Sequence, residues 1–382
     1  MPTGVGANTL ANDPRAGAIQ FVTDPGAFFE LTEKKVFTPI VISPTPGSGV
    51  SRTVDFPASG IIAMIRVIFD GDLTTTDGTG AVTTSDLWPY GLLDEFVLGT
   101  GASTDVIRVS GQQLHALKAV RNPGFIPQDT ADVIPDGIGA AIAITTGANP
   151  ITLTWDVPVA IDPVSLIGAL YSQSANLTVQ ARIREAVITD LLTVSGNATI
   201  DSLTGTWFMQ VTSFEVPIAG EDAPKLVVPD LSRLHGIHSH RVQFSNTGDV
   251  RAPLIRRNGQ LDRLLFRVFD STPEGAVTSQ LLRGEADAIG LDRVRLEYGG
   301  SETPLDYNPT HFLASQNVAD YADALPDGFY ALDFLIENAP RDVILMSGVT
   351  DLTLIPTVAS GATVAGGARV EVVQESLFAP TG

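Results

Sequence analysis

The residues of this chain best suited to chemistry lie in Leu234-His235-Gly-Ile-His238-Ser-His240-Arg241. Three imidazoles within six residues form a candidate zinc, nickel or iron site, because neutral histidine ligates each of these metals. His235, His238 and His240 are therefore the candidate metal ligands. Such sites draw a further side chain from elsewhere in the fold, and the Arg241-Val-Gln-Phe244 that follows offers no carboxylate. The same residues also read as a plain turn or subunit-contact segment. That is the expectation adopted, with no bound metal and no cofactor.

Other patterns fall short of chemistry in similar ways. Asp70-Gly-Asp72-Leu-Thr-Thr-Thr-Asp77-Gly78 has the composition of a calcium loop, but its acidic spacing misses the alternation such a loop requires, and turn chemistry is the simpler reading. His115 and His311 fall on two short predicted helices, where a shared packing role is expected rather than paired ligation. Gly78-Thr-Gly80 and Gly99-Thr-Gly101 lack the helix and lysine of a phosphate loop, and the chain contains neither a Gly-x-Ser-x-Gly elbow nor a His-Glu-x-x-His motif. Asn176-Leu-Thr178 and Asn197-Ala-Thr199 match glycosylation acceptors, triplets that need a secreted eukaryotic context. With no cysteine, disulfides and thiol nucleophiles are excluded. No catalytic constellation survives, and the expectation is a protein that is not an enzyme.

Composition narrows the partners. The net charge is -20, from 23 Lys+Arg against 43 Asp+Glu, and the densest basic groups are Lys34-Lys35 and Arg256-Arg257. Such a surface repels phosphate backbones, so no direct nucleic-acid contact is expected. The amino terminus lacks the basic and apolar regions of a secretory signal, and no run approaches the roughly 18 apolar residues of a spanning helix. A soluble chain is expected.

The elements that must position these residues are mostly strands. Gly 36 and Pro 25 punctuate many short Val/Ile/Thr-rich segments. Ile151–Val157 and Leu177–Ile183 alternate strictly, the period of a sheet with one buried face, and Val294–Tyr298, Leu332–Ile336 and Val370–Val372 read as further strands. Trp155, Val179, Phe334 and Leu354 occupy the apolar register and should be buried. Two short helices stand out: one capped by Ser110 and stopped by Asn122-Pro123-Gly124, the other opening on Asn308 with Pro309 at its first position.

The order of these elements repeats. IRVIFD at 65–70 is echoed by FRVFD at 266–270, and each is followed by a Leu-Asp pair (Leu93-Asp94, Leu291-Asp292), a helix with a histidine, a strand with an aspartate (Asp156, Asp333) and two further strands. The echoes differ by one residue, which would turn a strand over unless a bulge absorbs it. An internal duplication is predicted: an N-terminal arm at 1–15, a first unit at 16–217, a linker at 218–223, a second unit at 224–378 and a tail at 379–382. From His115 to Asp156 is 41 positions against 22 in the second copy, and from Leu177 to Met209 is 32 against 18. These excesses should be loops; the first carries Phe125, Ile126, Val133 and Ile134, apolar residues that a lone soluble domain rarely exposes.

A doubled β unit with one early helix per copy suits a jelly roll, another sandwich or a small barrel. Ser110-Gly-Gln-Gln-Leu-His115 after the Leu93-to-Val109 strand region, and Val228-Pro-Asp-Leu-Ser-Arg-Leu-His235 opening the second half, resemble the double jelly-roll major capsid proteins of tailless, membrane-containing phages of the tectivirus type. The resemblance covers most of the chain in layout. It implies an all-β fold of two tandem eight-stranded jelly rolls with short helices inserted. It further implies a homotrimer of near-hexagonal outline that tiles an icosahedral shell over an internal membrane. Neighbouring trimers and minor capsid or penton proteins would be its partners, lipid would be touched only indirectly, and the site of residence would be the virion, after synthesis in the host cytoplasm. The chain departs from that pattern in having no long amphipathic helix at its start. Two other classes share the architecture. One is a metal-dependent bicupin enzyme, a duplicated jelly roll whose His-x-His motif has a nearby glutamate that His238-Ser-His240 lacks. The other is an adhesin or carbohydrate-binding protein, which leaves the fusion of two similar units unexplained.

Overall fold

The computed structural model describes residues 19–21, 32–37, 40–42, 46–56, 60–85, 87–100, 103–122, 143–162, 165–172, 178–215, 226–228, 231–255, 259–271, 290–299, 302–321, 325–326, 328–335, 343–346 and 351–378. The predicted arm, linker and tail, and Phe125, Ile126, Val133 and Ile134, lie outside them.

The first half contains β1 (Glu33–Val36), β2 (Ser51–Asp55), β3 (Ile61–Thr76), β4 (Leu93–Thr100), β5 (Ser103–Val109), α1 (Gly111–Arg121), β6 (Gly147–Pro158), β7 (Val179–Glu185), the single-turn α2 (Ile188–Leu191) and β8 (Thr199–Glu215). The second half contains β9 (Leu234–Gln243), β10 (Gln260–Phe269), β11 (Leu291–Tyr298), β12 (Glu302–Tyr307), α3 (His311–Tyr321), β13 (Tyr330–Asp333), β14 (Leu352–Val358) and β15 (Arg369–Phe378). Short strands such as Ile40–Ile42 flank these.

Alternation builds the cores. In β3 the residues Ile65, Val67 and Phe69 point inward and Arg66, Ile68 and Asp70 outward, as a period of two requires. The sheet ordered β6-β3-β8-β1 thus lays Val67, Phe69, Trp155, Trp207 and Met209 against Phe96, Leu98, Ile107, Val179 and Ile183 of the β5-β4-β7-β2 layer. In the second half, Leu264, Phe266, Val268, Val370 and Val372 of β13-β10-β15-β9 meet Val294, Leu296 and Leu354 of β14-β11-β12. Trp155, Val179, Phe334 and Leu354 are buried, as their register predicts. Each half is a jelly-roll sandwich, and the fold is all-β and double.

Strand pairing repeats between the halves: β3, β6 and β8 correspond to β10, β13 and β15, and β4, β5 and β7 to β11, β12 and β14. A shared bulge sets the register. Ala63 is the extra residue of β3 against Thr212-Ser213, and Asp262 is the extra residue of β10 against Glu375-Ser376. Val159 N–H donates to Ala63 O at 3.1 Å, and Phe334 N–H donates to Asp262 O at 3.0 Å. Gly60 and Gly259 precede the two bulges with φ of +89° and +102°, where a Cβ would come within 2.2 Å of Phe214 O and Leu377 O respectively. Only glycine fits that approach.

This register corrects the letter echo. Arg66 corresponds to Leu265, two residues short of Arg267, and Asp156 corresponds to Ala331, two short of Asp333. The strands are equivalent, but the matching letters are displaced. The Arg-Val letters are displaced by two, which keeps a residue on the same face, whereas the Phe-Asp letters are displaced by one, which leaves Phe269 beside Arg267 on the outward face although Phe69 points inward.

Three further expectations change. Asp70 to Thr76 is not a turn: β3 continues to Thr76 because β6 and β8 pair with it on either side. The second excess is not a loop, since it holds α2, a Leu192–Val194 strand paired with Val82–Thr84, and the start of β8, anchored by buried Leu191 and Leu192. The second long helix begins at His311 rather than after Asn308, because Thr310 N–H is drawn to Asp292 O of β11 at 3.0 Å and Thr310 becomes the residue before the helix. His115 is then the fifth residue of α1 and His311 the first of α3, so the two do not match. α1 itself opens as predicted: Gln113 N–H donates to Ser110 Oγ, and Ser110 N–H donates to Gln113 Oε1 at 2.9 Å.

The halves are joined by more than chain. A short parallel pairing, Ile237 with Ile107 and His238 with Arg108, links β9 to β5 and makes one continuous sheet in the order β13-β10-β15-β9-β5-β4-β7-β2.

Candidate functional site

The histidine cluster lies within the strand β9 and not in the expected turn, because Leu234–Gln243 pairs along its length with β15, and the extended backbone sends His235 to one face and His238 and His240 to the other. His235 is fully buried, with Nε2 2.8 Å from Glu375 Oε1 and Nδ1 3.1 Å from Pro158 O; burial pushes its pKa down. His238 points Nε2 at Asp105 O, 2.8 Å away, with its ring against Phe378. His240 is partly buried and borders a cleft with Arg108, Arg184 and Arg241. The three rings face different partners and do not converge. Among the described residues no group of three histidines or carboxylates is placed to hold a metal ion.

The remaining candidates are also dispersed. Asp70 is exposed and accepts from Thr152 Oγ1 at 3.0 Å. His115 is buried and stacked on Tyr90 with ring centroids 3.8 Å apart; burial drops its pKa to about 3, so it is a neutral packing group. His311 lies on the surface helix α3 beside Phe312.

Buried polar chemistry is concentrated instead at the seam between the halves, where His235 and Arg241 of the histidine motif join charged residues that no candidate motif included. Glu371, Val373 and Glu375 share the outward face of β15, and Arg263, Leu265 and Arg267 share that of β10. This face turns away from the second core and onto the first half, so Leu265, Val373, Ile237 and Ala331 belong to the first half's apolar cluster. Glu375 Oε1 accepts from Arg121 of α1 at 2.7 Å, and Glu375 Oε2 accepts from Arg263 Nη1 at 3.2 Å. Arg263 also donates to Asp333 Oδ2 at 3.0 Å. Burial alone would raise the Glu375 pKa, but Arg121, Arg263 and the His235 contact hold it well below the usual carboxylate range.

Two repeats of the pleat further on, Glu371 accepts from Arg267 at 2.8 Å and pairs with Arg241 and Arg369; these three guanidiniums overcome burial and bring its pKa to about 2. Arg267 donates to the side-chain oxygen of Gln112 on α1, and its guanidinium lies 4.7 Å from the ring centres of both Phe269 and Phe329. Asp262, the bulge residue, accepts from Gln260 Nε2 at 2.7 Å; burial raises its pKa to about 7.

Three acids (Glu371, Glu375 and Asp333), five arginines (Arg121, Arg241, Arg263, Arg267 and Arg369) and His235 thus clamp β10 and β15 to α1. The arrangement offers no nucleophile beside a base and no open coordination position. Its chemistry is that of a lock, in which each charge is tied to several others across the two halves, and removing one partner strands the rest. A sequence signal for it exists: charges at Arg263, Arg267, Glu371 and Glu375 recur within strands whose alternate positions Leu264, Phe266, Val268, Val370 and Val372 are apolar.

Fold and seam together define a double jelly roll whose halves share one sheet and one apolar cluster. No family model and no curated protein matches the sequence. Solved structures do match in fold. One is the atomic structure of the Sulfolobus Turreted Icosahedral Virus, with a TM-score of 0.62 and 18% identity over 91% of this chain and 91% of that one. Another is the PBCV-1 protein VP54 fitted into a reconstruction of the virophage Sputnik, at 0.58 and 11% over 91% and 93%. A third is the Faustovirus major capsid protein, at 0.52 and 8% over 92% and 91%. At these identities what is shared is the fold.

Proposed function

We propose that this chain is a viral major capsid protein. Trimers of near-hexagonal outline tile an icosahedral shell over an internal membrane, contacting neighbouring trimers and minor or penton proteins, with no direct nucleic-acid contact and no catalysis. The protein would be made in the host cytoplasm and reside in the virion. The observation that carries this reading is the extent of the agreement in fold, which covers 91% of this chain and 91% of the turreted-virus chain. The seam supports it, because a shell tile must keep two sandwiches in fixed relation under load, and a buried multi-partner charge lock does that. The high negative charge fits a coat separated from the genome.

Light scattering on the purified protein tests the reading. A trimer is expected, together with larger assemblies and near-hexagonal particles by electron microscopy. A protein that stays monomeric at high concentration and binds a glycan would overturn it in favour of the adhesin class.

A further inference from the structure

The seam inside the molecule has a counterpart on its surface. In the register set by the shared bulge, Arg267 corresponds to Ile68, Glu371 to Phe208 and Glu375 to Thr212. Through their ladders with β8 and β15, Ile237 of β9 corresponds to Val36 and Arg241 to Val41. The helices align from the residues that precede them: Leu114 N–H donates to Ser110 O at 2.9 Å, and Ala314 N–H donates to Thr310 O at 3.2 Å. Gln112 of α1 therefore corresponds to Phe312 of α3, and Arg121 to Tyr321.

Five of these seven pairs are lopsided in burial; Arg241 and Val41 are both exposed, and Arg121 and Tyr321 are both largely buried. Within the seam, Ile237 is fully buried and Gln112 is 5% exposed, because the second half's outward sheet face covers α1. Among the described residues the equivalent positions have no such cover: Val36 is 50% exposed and Phe312 57%, Ile68 and Phe208 are partly exposed, and Val41, 58% exposed, is as open as its counterpart Arg241. Their chemistry also differs. Where the seam sets Arg267 against Gln112, the corresponding pair is Ile68 and Phe312. Val41, Phe208 and Ile68 are direct cross-strand neighbours in one outward row, an apolar strip. A contact inside one chain can be polar because the chain holds it together, whereas a contact between separate chains must repay lost translational freedom, which burial of apolar surface does.

We infer that Phe312 on α3 of one copy packs on the Val41-Phe208-Ile68 strip of a second copy, repeating between chains the contact that Gln112 and Arg267 make within one. The inference rests on the capsid reading and names the interface that reading needs. The occupant is a second copy because the complementary surface is the one that duplication has already placed, in its other version, against the equivalent helix. The contact joins different patches on the two partners, so it propagates head to tail, and the trimer of the capsid reading requires that it close as a ring.

The chain has no cysteine, so thiols introduced at Phe312→Cys and Ile68→Cys are the sole targets of a short bis-maleimide. The double variant is expected to give covalent dimers and trimers, and each single variant none. Phe312→Asp is expected to lose the trimer peak in light scattering while keeping the wild-type circular-dichroism spectrum. Ile255→Asp, equally exposed but outside both surfaces, is expected to keep the trimer. Absence of cross-links from a trimeric double variant, or a trimer that survives Phe312→Asp, overturns this interface and leaves the capsid reading standing. A wild-type protein that is monomeric overturns both. Should Phe312→Asp fail to fold, the cross-linking result decides.

Discussion

Replacing Glu375 by glutamine perturbs the seam at its centre. The carboxylate lies between Arg121 at 2.7 Å, Arg263 at 3.2 Å and His235 at 2.8 Å, and its side chain is fully buried. Arg263 keeps Asp333, but Arg121 retains only a long contact to Ala160 O at 3.5 Å. A buried cation left without its counter-charge costs about 3–5 kcal/mol. A chain of 382 residues unfolds with an entropy of about 0.8 kcal/mol/K if it melts as one unit, so Tm should fall by about 4–6 °C. A single transition is expected because the two halves share one sheet and one apolar cluster. Scanning calorimetry measures both quantities. The mechanism also predicts a rescue: Arg121→Met combined with Glu375→Gln removes the stranded charge and should recover most of the loss. A Glu375→Gln protein that melts within about 1 °C of wild type, or a double variant no more stable than the single, would refute the stranded-charge argument.

Other perturbations probe other parts of the structure. Asp262 is held protonated up to about pH 7 by burial, so its folded pKa is raised and its contribution to stability declines as pH climbs from its unfolded value near 4 to 7. Asp262→Asn should therefore match wild type below pH 4 and gain on it progressively up to pH 7, by at most about 4 kcal/mol; a pH-independent difference in denaturant titrations would contradict this. Gly111→Ala should destabilise by about 1–2 kcal/mol despite the better helix former, since a Cβ there would come within 2.3 Å of Tyr90 O and 2.5 Å of Trp155 Nε1; a raised Tm would show that the site relaxes. Added zinc should leave Tm unchanged, and a zinc-dependent rise abolished by His238→Ala would restore the metal-site reading of the β9 histidines.

Much of the local architecture was legible in the residues. Strict alternation in Ile151–Val157 marked a strand and named its buried members, and Ser110 with Gln113 marked the start of α1, because both are decided by the pleat or by backbone groups a few residues away. The repeated order of elements exposed the duplication for the same reason. Register was another matter. The echo of IRVIFD in FRVFD put Arg66 with Arg267, and only the bulges at Ala63 and Asp262 moved it to Leu265, because a strand's partners are set by hydrogen bonds to distant chain. The histidines of β9 looked like one site on account of their spacing, yet an extended backbone turned His235 away from His238 and His240. The seam was the least legible part. Alternation assigns β10 and β15 an inward face, but it cannot say whether the outward face meets water or protein. Packing of α1 against that face turned Arg263, Arg267, Glu371 and Glu375 from apparent surface charges into a buried lock, while the equivalent face of β3 and β8 remained open.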